Sequence, residues 1–275
     1  MRGTSVASSP IVTMRMTSAL PEPTGAFVWT QAPWGRVLEC TALAPLATHG
    51  FTSRDLSPGS GIDPDAAWTA VAFHLGLPPG SLHRLDQVHG CRTFVVETEA
   101  RPHGANPKAD ALMTDRTDVA LAVKAADCVP LLIADRDRRC VAAIHAGWRG
   151  TAQQIAPALV RSLQRRFGVE AGALVAAIGP SIGACCYEVG PEVHAGFLEA
   201  SGESVADVGR WFTPGAGDRL QLDLWRANRD QLEEAGVPAG AIHVARLCTA
   251  CHVDRFFSYR REGPRAGRML AVIRK

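Results

Sequence analysis

No stretch of this 275-residue chain stays apolar for anything near the roughly 20 residues that a membrane-spanning helix needs. The opening segment MRGTSVASSPIVTMRMTSALPEPTG likewise has no apolar core of the kind that marks an export signal. The expectation is a protein that stays in the cytoplasm and makes no membrane contact. An excess of charge of one sign is also missing: 29 basic residues nearly cancel 27 acidic ones. That balance leaves no electrostatic footprint for nucleic acid, so any anionic ligand must be caught by locally placed groups. Three motifs are absent as well. No His-x-His pair occurs among the nine histidines, no His-x-Glu occurs, and Gly179, Gly183 and Gly190 are too widely spaced for a dinucleotide or phosphate loop. A multicopper oxidase built on paired histidines, the zinc cytidine-deaminase signature and a Rossmann-type nucleotide site are thereby disfavoured.

What is present is a large apolar fraction, 47%, enough for a sizeable core in a single domain. The Ser/Thr/Pro-rich start, with Met14 and Met16 as further possible starts, reads as a loose extension over residues 1–30, leaving 31–275 as the domain. Eight cysteines without an export signal do not suggest a disulfide framework.

Short Val/Ile/Leu-rich segments bounded by turn residues predict strands at Leu38 to Ala44, Arg92 to Thr98, Val119 to Ala125, Val129 to Asp135, Cys140 to Gly147, Leu174 to Gly179, Ala241 to Arg246 and Met269 to Arg274. Helices are expected after Asp63-Pro64, after a Thr151 cap with Ile155, Leu159, Leu163 and Phe167 recurring every four residues, at Pro191 to Ala200, and at Leu224 to Ala235 behind an Asp223 cap. Adjacent strand pairs mixed with strand-helix alternation give a layered α/β (α+β) fold with mixed rather than all-parallel sheets.

The most informative stretch is ADCVPLLIADRDRRCVAAIHAGWRG, residues 126 to 150, two apolar strands around a polar turn. A hairpin centred between Arg136 and Asp137 places Cys128 directly across from His145, with Cβ atoms about 4.5 to 5.5 Å apart. A thiolate facing an imidazole is a metal half-site or a Cys/His nucleophile pair, and His89 in LDQVHG offers a third group. Two imidazoles and one thiolate leave a fourth position open, as a catalytic zinc requires. A buried small thiol and a satisfied core histidine remain the plainer reading of the same pair.

Six stretches in order resemble the motifs of the YfiH-type laccase-domain family: LDQVHG with His89, KADALMTD, AADCVPLL with Cys128, AAIHAGWRG with His145, IGPSIGACCYEVG, and FFSYRREGPRAGRML. The similarity runs from about Thr48 to the C-terminus. It implies a compact αββα sandwich with mixed sheets and a metal held by His89, Cys128 and His145, taken to be zinc with copper as the alternative. The implied activities are phosphorolysis of adenosine, inosine, guanosine and methylthioadenosine, and deamination of adenosine. The partners are then purine nucleosides and inorganic phosphate. The family's usual Gly-Gly-Val-Ser stretch after the arginine matching Arg54, and its following Asn-Arg pair, are replaced here by RDLSPGSG and WTAVAFHL.

Phosphorolysis needs phosphate held beside the ribose, and Arg54 and Arg149 are the candidate guanidinium groups, with a packing or surface role as the alternative for each. Deamination needs a carboxyl group to move protons, for which Asp127, Asp110 and Glu188 are available. Asp127 is taken as catalytic, with an orienting role toward a ligand as its alternative, and Glu188 as substrate-binding. Cys248-Thr-Ala-Cys251 has no second CxxC to complete a four-ligand site, and the adjacent pair Cys185-Cys186 is not expected to point both sulfurs at one metal, so all four are read as structural thiols. The competing functions are a copper-dependent polyphenol oxidase, a metal-free cysteine hydrolase using Cys128 and His145, and a nucleoside-binding scaffold.

Overall fold

The computed structural model describes residues 19–56, 64–98, 106–201 and 205–275. Its centre is the hairpin of Val129–Asp135 and Val141–Ala146, in which every residue is buried. Burial on both faces explains why these strands read as continuous apolar runs rather than as alternating ones. The hairpin lies inside a six-stranded sheet whose order is Ile242–Val244, Leu174–Ile178, Val129–Asp135, Val141–Ala146, Ala111–Thr114 and Thr93–Val95. The three inner pairings are antiparallel and the two edge pairings parallel. A second six-stranded sheet runs Phe27–Ala32, Gly35–Cys40, Thr48–Thr52, Met269–Arg274, Ala120–Ala125 and Leu82–His83, antiparallel except for its last pair.

The sheets face each other across Leu38, Phe51, Leu121, Val123 and Ile273 from one and Leu132, Ala134, Val141, Ala143, Val175 and Ala177 from the other. Outside the first sheet, Leu131, Ile133, Ala142 and Ile144 pack against Ile155, Leu159 and Leu163 of the helix Ile155–Phe167 and Leu224 and Leu232 of the helix Leu224–Glu234. Outside the second, Ala120, Ala122, Leu270 and Val272 meet Val71 and Ala72 of the helix Pro64–His74 and Leu75 in the turn after it. This is the αββα layering expected from the sequence. Each Leu or Ile buried in these layers contributes about 1.5–3 kcal/mol of transfer free energy. Among the described residues no helix is long and apolar enough to cross a membrane.

Several sequence expectations shift. The boundary expected at residue 30 falls inside the strand Phe27–Ala32, which pairs along its length with Gly35–Cys40. Thr151 does not cap the following helix. It lies in the short helix Trp148–Ala152, and Gln154, left-handed at φ 56°, breaks the chain before Ile155–Phe167 begins. The Thr151 hydroxyl instead accepts a hydrogen bond from buried Asn228 Nδ2 at 3.0 Å. Asp223 does cap Leu224–Glu234, its carboxylate accepting from the Arg226 N–H at 2.9 Å. The Asp63 cap lies outside the described residues.

Candidate metal centre

The hairpin register differs from expectation by two residues. Pro130, not Cys128, pairs with His145, because the turn is centred one residue later. Buried Asp135 fixes that turn. Its carboxylate accepts from the Arg139 backbone N–H at 3.1 Å and from the guanidinium at 2.9 and 3.0 Å, while Arg138 takes a left-handed φ of 57°. A shift of two keeps the parity of the pleat, and Cys128, in the bend just before Val129–Asp135, still brings its sulfur within 4.8 Å of a His145 ring nitrogen.

His89 reaches them from the loop after Leu85. Gly150 lets the Gly90 carbonyl approach so closely that a Cβ would stand 2.9 Å from its oxygen. Gly147 leaves the space between the ligands, since a Cβ there would lie 3.1 Å from Cys128 Sγ and 3.2 Å from His89 Cδ2. The donor atoms of His89, Cys128 and His145 all fall within 4.8 Å of one another. His145 is buried, Cys128 half-buried and His89 exposed toward a cavity.

Asp110, fully buried, organises both histidines. Its Oδ1 accepts from His145 Nδ1 at 3.0 Å, which leaves Nε2 as the free ring nitrogen. The same carboxylate accepts the backbone N–H groups of His89 at 2.9 Å and Gly90 at 2.7 Å, and so holds His89 in the left-handed conformation, φ 58°, that a non-glycine residue seldom adopts. Burial pushes the Asp110 carboxyl up, but His145 and these N–H groups outweigh it and hold it below the usual range. Burial likewise raises the Cys128 thiol, yet the facing His145 and His89 rings bring it down to about 6. Burial lowers His145, and the Cys128 sulfur and Asp110 raise it to about 9. One thiol inclined to ionise and two imidazoles whose orientation is fixed are a donor set that fits zinc, with a carboxylate–histidine support behind it.

The cavity before them measures ≈ 670 Å³ and is open to solvent on one side. Four cationic side chains line it, Lys124, Arg149, Arg260 and Arg268, together with Tyr187, Tyr259 and Asp127. Arg149 stacks on Trp148 with its guanidinium carbon 4.3 Å from the ring centroid. Arg260 lies over Tyr187 and donates to the Glu188 carbonyl at 2.8 Å.

The remaining residues singled out from the sequence divide. Asp127 is on the wall, with Oδ1 accepting from the Thr249 hydroxyl and Oδ2 from the Arg260 N–H, both at 2.6 Å. Arg54 is not among the cavity-lining residues. It pairs with Glu262 and lies 4.3 Å over the Phe257 ring. Glu188 is also outside the lining; its carboxylate accepts from the Ala216 N–H at 3.3 Å, turned to the Gly/Pro-rich loop. Of the departure after Arg54, residues 57–63 lie outside the described residues. The wall residues Tyr187, Tyr259, Arg260 and Arg268 sit within the quoted CCYEVG and SYRREGPRAGR stretches, but no spacing rule assigns them a role, because tertiary folding alone brings them to this cavity.

Known proteins repeat this arrangement of chain. The solved structure of Bacillus licheniformis YfiH superposes with a TM-score of 0.81 at 31% identity, covering 91% of this chain and 99% of that one. YlmD from Geobacillus stearothermophilus superposes at 0.78 and 32% identity, covering 90% of this chain and 99% of the other. A Bacteroides thetaiotaomicron protein named purine nucleoside phosphorylase is 41% identical over 164 residues, a stretch that spans 60% of each chain. Adenosine deaminase RL5, from an unknown prokaryotic organism, is 38% identical over 209 residues, 74% of this chain and 78% of its own. Residues 51–275, which carry His89, Cys128, His145, Asp110 and the whole cavity lining, match the family described as multi-copper polyphenol oxidoreductase laccase, and the chain belongs to that family.

Proposed function

We propose that this chain is a zinc-dependent purine nucleoside phosphorylase, acting on adenosine, inosine, guanosine and methylthioadenosine, that also deaminates adenosine. The observation that carries the reading is the meeting, in one cavity of ≈ 670 Å³, of the ligand set His89, Cys128 and His145 with the cations Lys124, Arg149, Arg260 and Arg268. A volume of that order suits a nucleoside, and the cations supply the local anion site that a near-neutral chain needs for phosphate. The names of the relatives support the same pair of activities.

In phosphorolysis a phosphate oxygen forms a bond to the ribose C1′ while the bond from C1′ to the purine nitrogen breaks, and the base leaves with a proton. Arg149, braced on Trp148, is placed to hold the phosphate in a planar two-pronged contact. The phenol of Tyr187, raised above its usual range first by burial, stays protonated at neutral pH and presents a donor to the bound nucleoside. Zinc, when bound, supplies Lewis-acid polarisation and brings water acidity toward neutrality. In deamination, Asp127 is the carboxyl group on the wall available to carry protons; Asp110, buried behind His145, keeps the ring in one tautomer. Arg54 and Glu188 are left to hold the walls from outside the cavity.

A second reading rests on the same geometry. Cys128, His145 and Asp110 are also the nucleophile, base and orienting carboxylate of a cysteine hydrolase, with the thiol already at about 6. The polyphenol oxidase reading, with copper in place of zinc, follows from the family description and requires several coppers. The experiment is to incubate the metal-analysed full chain with adenosine and with inosine, with and without phosphate, and to identify products. Free base and ribose 1-phosphate formed only with phosphate, and inosine formed from adenosine without it, support the proposal. Absence of both, with oxidation of a phenol by a copper-loaded sample, overturns it.

A further inference from the structure

We propose that Cys185, Cys186, Cys248 and Cys251 form a second, structural metal site that takes one zinc ion. Sequence spacing left Cys248-Thr-Ala-Cys251 without a partner pair, and Cys185-Cys186 looked unable to share a metal. Folding supplies what spacing could not. The segment around Ser181 forms a parallel bridge with Cys248, which sets the turn after Ile182 against residues 248–251. All four sulfurs then lie within 4.8 Å of one another.

The separations fit a metal better than a disulfide. Cys251 Sγ lies 3.6 Å from Cys185 Sγ and 3.5 Å from Cys186 Sγ. A tetrahedron with zinc–sulfur bonds of about 2.3 Å has sulfur–sulfur edges of about 3.8 Å, whereas a disulfide brings its sulfurs to about 2.05 Å. Four thiols crowded this closely cannot all ionise together unless a cation sits among them. Hydrogen-bond donors already face two of the four sulfurs. The Gly183 N–H donates to Cys248 Sγ at 3.3 Å, and Arg261, anchored to the Ala250 carbonyl at 3.1 Å, brings a guanidinium nitrogen within 3.8 Å of Cys186 Sγ. Four sulfurs close a zinc site completely, so its role is to hold the fold and not to bind substrate.

What it holds is the wall of the cavity. Tyr187 follows Cys186 directly, and Thr249, between the two ligands of the CxxC, donates to Asp127 beside Cys128. The local apolar packing is small, limited to Ile182, Cys248 and Ala250 with a few partly buried neighbours, so a cross-link is what this corner otherwise lacks.

The inference does not depend on the catalytic reading, and metal counting separates the two. The full chain should carry about two zinc ions, and Cys251→Ser, Cys186→Ser and His89→Ala should each retain about one. Combining His89→Ala with Cys251→Ser should remove both. A Cys251→Ser protein with the zinc content of the unaltered chain overturns the site. If the variants fold poorly, alkylation of the unaltered protein decides. Cys185 and Cys251 are exposed, so a reagent can reach them when no metal holds them. Protection of all four cysteines in the zinc-loaded protein, lost together on chelation, supports the site. Reaction at the same rate with and without chelator, or a disulfide among the four by peptide mapping, overturns it.

Discussion

Two sulfur-containing groupings lie on either side of Asp127, and they differ in what surrounds the donor atoms. His89, Cys128 and His145 mix nitrogen with sulfur, are steered by a buried carboxylate, and face a cavity lined by cations. Cys185, Cys186, Cys248 and Cys251 are all sulfur, are approached by a backbone N–H and an arginine, and stand behind the cavity wall without lining the cavity. As a metal site the first arrangement would leave a coordination position for a reacting molecule, and the second would leave none. Metal-ligand residue types alone therefore do not mark a reaction centre; the open side and the adjoining anion site do.

The comparison breaks most directly at His145. His145→Ala should lower nucleoside turnover by about three orders of magnitude, the scale on which a preorganised active-site group contributes, while leaving the four-cysteine metal in place. Loss of both metals would mean that the two groupings are one folding unit. Next in size is Asp110→Asn, which keeps the shape but weakens the hold on His145 and on the His89 backbone; metal affinity should fall about 10–100-fold. Unchanged affinity by competition with a chelator would remove the supporting role. Arg149→Lys should reduce phosphorolysis by about tenfold through a rise in the phosphate KM, because an ammonium cannot make the paired contact, and deamination should change less. Equal loss of both activities would make Arg149 a general packing residue.

The smallest expected effect is in pH, in the metal-free protein. The Cys128 thiol is lowered to about 6, so its stabilising contribution is present at high pH and disappears as pH falls through about 6. His145 is raised to about 9, so its contribution is present at low pH and disappears as pH rises through about 9. Between about pH 6 and 9 the two contributions run in opposite directions and nearly cancel in overall stability, so the pairing is checked by the alkylation rate of Cys128 against pH: a midpoint near 6 is expected, and one near the ordinary thiol value of about 8.5 would contradict it.

The approach of Cys128 to His145 was legible because two apolar strands flank a polar turn, and a two-residue shift still leaves the pair within reach. The sequence did not carry the register, since capture of Arg139 by buried Asp135 moved the turn centre. Nor did it show that Asp110, 35 residues before His145, would be its partner; strand pairing of Ala111–Thr114 with Val141–Ala146 makes that contact. Arg54 and Glu188 were visible as charges, but their contacts with Glu262 and the Ala216 N–H are tertiary. The four-cysteine cluster was illegible for the same reason, because a chain crossing and not a spacing brings its halves together.

The central claim is that a metal at His89, Cys128 and His145 performs the nucleoside chemistry. It is tested most directly by stripping the Cys251→Ser protein of its remaining metal, verifying the loss, and measuring adenosine phosphorolysis before stripping, after stripping and after adding back zinc. The account predicts turnover, none, and turnover restored, with Cys128 open to alkylation only in the stripped sample. Full turnover by the verified metal-free protein, abolished by alkylating Cys128, would contradict it and make the Cys128 thiol the reacting group instead.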